Sequence, residues 1–492
     1  MNALSMPISG LAALALALAL GAGPAMAAPT VPLPSPAAPV LEPVSAGLVT
    51  YDQPVIALTH AAVIDGTGAP ARVDQTLVVA AGRIAALGDA AQIAVPAGAL
   101  VLDMTGKTLL PGFVMVHEHL FYPSTREYLG FPLSMSLLYL AGGETTIRTA
   151  GSVNGYADIN LAREIAAGTR LGPDIDVTAP YLEGRGAFTL TMPQLANPAE
   201  VTRMVDYWAG QGATSFKAYM HLTRAQLAAA IAAAHRHGMK ITGHLCAVTY
   251  AEAADLGIDN LEHGFAAATD FDPDKKPDAC PADQAAETAL GDLAVDAPAA
   301  RALIARLVAR HVALTSTLPV FEAFDPQHGD AGESALAPLT ADYRAYYLRR
   351  RTRLYAQPAA GLHEHRLLLA TMRLEKAFAD AGGLLLAGSD PTGIGGVVPG
   401  FSAKRQFALL LEAGFTVTAA VHIMTQNGAR FLGREAEVGT LAAGKRADIV
   451  VIAGDLTAQP QAIANMPLVF KRGVGVATAA VFERLKGVLG LW

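Results

Sequence analysis

The chain opens on an apolar run, and its pattern of apolar and polar positions changes three times after that. Residues 11–20 are all Leu or Ala; Gly21 and Gly23 follow, and Ala25-Met26-Ala27 supplies the small residues of a processing site. This pattern predicts an export leader over residues 1–28, with a periplasmic or secreted mature chain. The run is shorter than the roughly 20 apolar residues a spanning helix needs. Residues 29–51, rich in Pro, Ala and Val without a period, read as a linker. From 52 to 110 come short β-type runs at 55–59, 75–80, 83–87 and 99–103, punctuated by Asp65, Gly66, Gly82 and Gly88. They predict the first part of a small sheet.

Near residue 111 apolar runs begin to alternate with Ala- and Leu-rich helical stretches. Residues 224–234 are helical in pattern, Gly238 ends them, and 239–243 resumes an extended run. Such alternation implies parallel strands joined by crossover helices. Eight candidate strands lie near 113–117, 145–149, 175–179, 214–219, 240–244, 259–262, 312–316 and 384–388. The expected class is therefore α/β, a closed (β/α)8 TIM barrel over 111–435 with its site at the strand C-termini. Residues 265–300, rich in Asp, Pro and Ala, read as an inserted loop. After 436 the β-type signal returns at 438–441 and 447–452, giving a second sheet segment over 436–475. Residues 476–492 predict a terminal helix with Val481, Phe482, Leu485, Val488, Leu489 and Trp492 on one face. That face either packs on the body or makes a membrane contact or a subunit contact in a homo-oligomer.

Composition narrows this picture. The 492 residues suffice for a barrel of roughly 250 residues and a second module. With 52% hydrophobic and 16% charged residues the chain can bury a large core, which excludes global disorder. A net charge of −7 and no basic run argue against a nucleic-acid partner, and past the leader no stretch reads as an integral membrane segment. The two cysteines, Cys246 and Cys280, form a disulfide across the inserted loop or remain two free thiols.

The candidate chemistry gathers at strand ends. His117 and His119 close an apolar strand two residues apart, so both imidazoles share a face and converge on one metal. His363 and His365 have the same spacing inside a helical run, where it sends them about 200° apart. His235 and His237 close a helix and suit its negative end. Lys217 lies in an apolar strand; it either snorkels to water or takes up CO2 as a carbamate whose oxygens bridge two ions. Tyr219, on the same face, either donates to a substrate carbonyl or packs at the mouth. His244 and His263 end two successive strands, and Asp390 follows the last. Nitrogen and oxygen donors in this number suit two divalent ions. Arg185, after strand three, either grips a substrate carboxylate or is a solvated loop residue.

This order of residues resembles the amidohydrolase superfamily: His-X-His on strand one, Lys on four, His on five and six, Asp on eight. Residues 425–433 and 439–451, with 143–148, are similar to its imidazolonepropionase-like branch, and Lys217-Ala218-Tyr219 to that branch's prolidases and carboxypeptidases. The similarity spans about 52–475. It implies a composite β-sandwich from 52–110 and 436–475 flanking the barrel. It further implies that His117, His119 and Asp390 hold one Zn2+ ion, that His244 and His263 hold another, and that N6-carboxylysine at Lys217 bridges them. Lys404-Arg405-Gln406 stands where relatives often carry a His-Glu pair. The resemblance implies hydrolysis of an amide in a small-molecule substrate such as a dipeptide or N-acyl amino acid. Asp390 would move the proton, and Tyr219 would face the oxyanion. A lactone, cyclic amide or phosphotriester is the competing bond, and a catalytically idle metal-binding protein the competing class.

Overall fold

The computed structural model describes residues 41–491, apart from 125, 126, 188, 283 and 284 and the side chains of 358–360. The expected leader and the first part of the linker lie outside the described residues. The last part of that linker is ordered: Pro43–Ala46 forms a helical turn capped by the Glu42 carboxylate, and Val49–Tyr51 pairs antiparallel with Val474–Ala477.

Eight parallel strands position the site. In chain order they are β1 (Phe113–Glu118), β2 (Glu144–Thr149), β3 (Asp174–Asp176), β4 (Ser215–Ala218), β5 (Lys240–Gly243), β6 (Asn260–Glu262), β7 (Ala313–Ser316) and β8 (Leu385–Ala387). Crossover helices form where the pattern places them. Arg224–Arg236, for example, starts on a capping box between Thr223 and Gln226 and is followed by Gly238 at φ +67°.

The eight strands do not form one continuous ladder. One runs β3-β2-β1 and the other β4-β5-β6-β7-β8, joined by a parallel bridge from Thr178 to Ser215. Between β8 and β1 no ladder forms among the described residues, so the expected closed ring is open at one seam. There the chain crosses too closely for side-by-side pairing: a Cβ on Gly388 would lie 2.3 Å from the His117 Cβ. The amides of Ser389 and Asp390 donate instead to the His117 carbonyl at 3.2 and 3.1 Å.

The two flanking segments enter one nine-stranded sheet, in which Ile449–Ala453 pairs antiparallel with Lys107–Pro111. This pair is buried on both faces. Ile449 and Val451 join the sheet's own core with Leu109, whereas Val450, Ile452 and Leu110 join the barrel core. A strand walled on both sides reads as an unbroken apolar run rather than an alternation. Three local expectations are corrected. Residues 438–441 turn rather than extend, because Gly439 sits at φ +88° with a Cβ position only 2.5 Å from the Ala429 Cβ. The terminal helix is Thr478–Arg484 only; Gly487 takes φ +68° and the chain turns so that Leu489 bridges Leu339. Val481, Leu485 and Leu489 are nonetheless buried, as the face required, while Trp492 lies outside the described residues. The stretch 265–300 carries a helix of its own, Ala285–Gly291.

One charge cluster fastens the C-terminal segment to the barrel. Asp174, at the start of β3 and 7% exposed, pairs with Arg434 (2.7 Å), Arg472 (2.6 Å), Lys471 (3.2 Å) and Arg446. Burial alone would raise its carboxyl, but Lys471 and the three arginines outweigh it and hold the group below its ordinary value. Asp174→Asn would leave Arg472 without its carboxylate and the other three cations with only Glu437 and Asp448, and removing one partner of a buried pair costs about 3–5 kcal/mol. The group's folded-state value is depressed, so its contribution is present above the unfolded value near 4 and is lost as pH falls through the folded one. Denaturant unfolding should show Asp174→Asn much weaker at neutral pH and the gap to the parent narrowing under acid; equal stability at pH 7 would rule out this fastening role.

Candidate active site

The strand C-termini converge on a cavity of about 160 Å3 lined by His117, His119, Lys217, Tyr219, His244, His263 and Asp390. Six residues singled out as metal ligands therefore share one wall with Tyr219. The imidazole of His263 lies 4.6 Å from that of His117 and 4.3 Å from that of His244, between ring centres. One oxygen of Asp390 is 3.2 Å from His119 Nε2; the other is 3.7 Å from both His117 Nε2 and His263 Nδ1. Donor atoms of His117, His263 and Asp390 lie within 4.8 Å of one another. Two of these residues reach the cavity on left-handed backbone, His263 at φ +67° and Asp390 at φ +51°. Such conformations are unfavourable for residues other than glycine and persist where the surroundings impose them.

The donor set fits divalent ions by its protonation. Burial, reinforced by Lys217, lowers His117 to about 4. His244 keeps an edge open to the cavity, yet burial and Lys217 bring it down to about 3. Burial with His244 holds His263 well below its ordinary value. At neutral pH these three imidazoles are uncharged and keep a lone pair for a metal. Burial also lowers Lys217 to about 8, which leaves a share of free amine near neutral pH. Asp390 is raised by burial but pulled down further by His117 and His119, so it is a carboxylate.

Beneath the cavity lie two residues whose role the sequence reading did not assign. Glu262, fully buried, accepts from His117 Nδ1 at 2.7 Å, from Arg148 at 3.2 Å, and pairs with Lys217 Nζ at 3.5 Å. Burial would raise it; Lys217, His117 and Arg148 hold it well below the usual carboxylate range. Arg148 also donates to Thr242 Oγ1 (2.9 Å), Ser215 Oγ (3.1 Å) and the Val116 carbonyl (3.0 Å), so one guanidinium spans four strands besides its own. At the seam, Glu118 accepts from the amide and hydroxyl of Ser389 at 2.7 and 2.5 Å and so fixes the approach to Asp390. The signal available for Glu262 was an acid beside a strand-end histidine.

Other candidates lie elsewhere. Arg185 sits exposed in a turn and lines no part of this cavity, because the chain after β3 carries it outward. Cys246 and Cys280 are joined as a disulfide, with Cα atoms 4.9 Å apart. His235 and His237 pair with Asp259 and Asp206 on the surface. Of the departure at 404–406, Arg405 binds Glu322 and Gln406 donates to Ser316 Oγ. Neither lines the cavity.

Residues 353–482 match the model of the amidohydrolase family. The match is confined to that stretch. Of the site residues it contains Asp390; the histidines and Lys217 precede it. A Bifidobacterium longum structure described as a prolidase is similar over 88% of this chain and 98% of its own, at 24% identity and TM-score 0.64. A Xaa-Pro dipeptidase with methionine bound in its active site matches 86% of this chain and 100% of its own, at 16% identity and TM-score 0.65. A bottromycin amidohydrolase matches 91% and 93%, at 22% identity and TM-score 0.67. At these identities the likeness is one of fold. No curated protein sequence matches the chain.

Partners behind a ligating histidine fix its tautomer, and losing one typically costs 10- to 100-fold in metal affinity. Glu262→Gln keeps the shape but lets His117 Nδ1 lose its anionic acceptor. Chelator competition should read roughly that loss; unaltered affinity would separate Glu262 from metal binding.

Proposed function

We propose that the chain is a metal-dependent hydrolase of carbon–nitrogen bonds whose site holds two divalent ions, with Zn2+ the leading choice. The observation that carries this reading is the convergence of four imidazoles, Lys217 and Asp390 on one small cavity. The family match and the prolidase, dipeptidase and amidohydrolase neighbours support the same bond class. His117, His119 and Asp390 would hold one ion and His244 and His263 the other, with carboxylated Lys217 between them. Bound there, the ions supply a water of lowered pKa and polarise the substrate carbonyl.

The remaining work belongs to the chain's own groups. Asp390, a carboxylate between three imidazoles, is placed to accept the proton of the attacking water and return it to the leaving amine. Tyr219 lines the cavity beside His244, its ring centre 4.9 Å from the imidazole, and burial raises its hydroxyl far above neutral pH, so it stays a donor for the carbonyl oxygen. Phe121, Tyr181, Phe321 and Phe324 give apolar walls that exclude water and favour a substrate with an apolar side chain.

The substrate class we favour is a dipeptide or N-acyl amino acid. With Arg185 turned away, a different cation serves its carboxylate. A second cleft shares Tyr128, Phe324 and Gly393 with the cavity and carries Arg350. This arginine donates to the Tyr346 hydroxyl at 3.0 Å and has no carboxylate partner among the described residues. Export rests on the leader pattern, and a Cys246–Cys280 disulfide supports an oxidising compartment. No described helix is long and apolar enough to cross a membrane.

Metal analysis of the purified chain, with a screen of dipeptides and N-acyl amino acids beside lactone and phosphotriester panels, tests the assignment. Asp390→Asn should lower kcat on any turned-over amide by about 10²- to 10⁴-fold, the range for a lost acid–base group. Turnover of esters alone would move the assignment to another bond, and an unchanged kcat would strip Asp390 of its role. Arg350→Ala should raise KM about 10- to 100-fold for substrates with a free carboxylate, the equivalent of one charge-assisted hydrogen bond. Amidated analogues should be unaffected; a matching loss on both would deny it carboxylate recognition.

A further inference from the structure

The pair His363 and His365 lies in α2 (Pro358–Asp380), and the helix sends the two rings to different neighbours. His363 approaches Thr288 and Glu287. The Nδ1 of His365 lies 2.7 Å from Oδ2 of Asp325, a fully buried carboxylate that follows α1 (Leu318–Phe324). The helix can come this close because residue 361, one turn earlier, is glycine; a Cβ there would stand 2.1 Å from Pro326 Cγ.

The same carboxylate meets a second imidazole. Oδ1 of Asp325 is taken by the Gln327 amide at 2.8 Å, while Oδ2 also faces His328 Nε2 at 3.5 Å. The other nitrogen of His328, Nδ1, lies 2.6 Å from Glu322 Oε1, and Glu322 is gripped by Arg405. A carboxylate behind a ligating histidine fixes the tautomer with the far nitrogen free. In the neutral tautomer whose Nδ1 proton goes to Glu322, His328 would present a lone pair at Nε2 to the Asp325 oxygen. Two acceptors would then face one another, an arrangement that a bound cation would relieve. Donor atoms of Asp325, His328 and His365 lie within 4.8 Å of one another. The positive groups around them have their own partners. Arg351 pairs with Asp330 and donates to the backbone carbonyls of Ala323, Asp325 and His328, and Arg405 answers Glu322.

We infer that Asp325, His328 and His365 form a cation site outside the barrel that takes a borderline divalent ion such as Zn2+, with Glu322 orienting His328. Two imidazole nitrogens and one carboxylate oxygen suit zinc, cobalt or nickel, and the imidazoles, about one-quarter exposed, leave a position for water. The ion would clamp α1 to α2. Helix α1 carries Phe321 and Phe324 of the catalytic cavity wall, and Thr317, just before it, bonds His263 Nδ1 at 2.8 Å. The site is thus structural, and it holds the wall of the cavity rather than the substrate.

The test is metal content of the folded full chain after equilibration with Zn2+ and removal of loose metal. His365→Ala should hold about one equivalent less than the parent and lose the rise in Tm that Zn2+ gives the parent. His328→Ala, at a half-buried position, gives the same readout should His365→Ala fail to fold. A chain carrying both His117→Ala and His119→Ala separates the barrel ions from this one: it should keep a Zn2+ equivalent that a further His328→Ala removes. Substituted with Co2+, that equivalent should show visible absorption bands. Parent and His328→Ala chains of equal metal content would overturn the site, whatever the barrel binds, and would leave His328 as an imidazolium between two carboxylates.

Discussion

A single buried carboxylate sets the geometry from which the rest follows. Glu262 is fully buried at the end of β6, where an unpaired anion would be several kcal/mol too costly to keep. It is kept because Lys217, His117 and Arg148 reach it from three other strands. Each contact has a consequence above it. His117, committed at Nδ1, turns Nε2 toward Asp390. Lys217 is drawn inward rather than snorkelling. Arg148 ties β1, β4, β5 and β6 together through backbone, hydroxyl and carboxylate oxygens. An apolar residue of the same volume would fill the space and leave those side chains without a direction.

Backbone strain is the second constraint. His263 and Asp390 both stand at positive φ, which costs on the order of 1–3 kcal/mol each for such residues. A glycine next to His263 and another two residues before Asp390 make the approaches possible. A Cβ at Gly264 would lie 1.9 Å from Glu375 Oε1, and one at Gly388 would strike His117. Hydrogen bonds then hold what the glycines allow, from Thr317 to His263 and from Ser389 to Glu118. The open seam between β8 and β1 follows from this: the crossing that would close a ladder is where Asp390 is brought to the imidazoles.

The sequence pattern located all eight barrel strands, because short extended stretches, most of them apolar, alternate with a helical period. It also marked most of the cavity, since strand ends advertise histidines. What it hid depends on backbone direction. Reading His263 as the last residue of an alternating strand would point Glu262 away from the axis. In the structure the strand ends at Glu262, which faces inward, and the left-handed step brings His263 to the same side. Arg185 was placed by chain position alone, and nothing in its neighbourhood distinguished an outward turn from an inward one. The helical spacing of His363 and His365 was read correctly as divergent, yet the partner of His365 comes from a turn 40 residues earlier that no local pattern reveals.

The charge balance around Lys217 bears on how metal and modification depend on each other. As the chain stands, Lys217 and Arg148 answer Glu262 and Asp390, and His117, His244 and His263 add no charge at neutral pH. A carbamate on Lys217 would exchange a cation for an anion and set that anion against Glu262, whose oxygen is now 3.5 Å from Nζ. Arg148 alone cannot offset three carboxylate-like groups. On the proposed two-ion reading, divalent ions at the imidazoles would offset them, so modification and metal uptake would stabilise each other. On that reading the buried acid has a purpose: Glu262 would hold the unmodified amine of Lys217 at the place where a bridging carbamate is proposed.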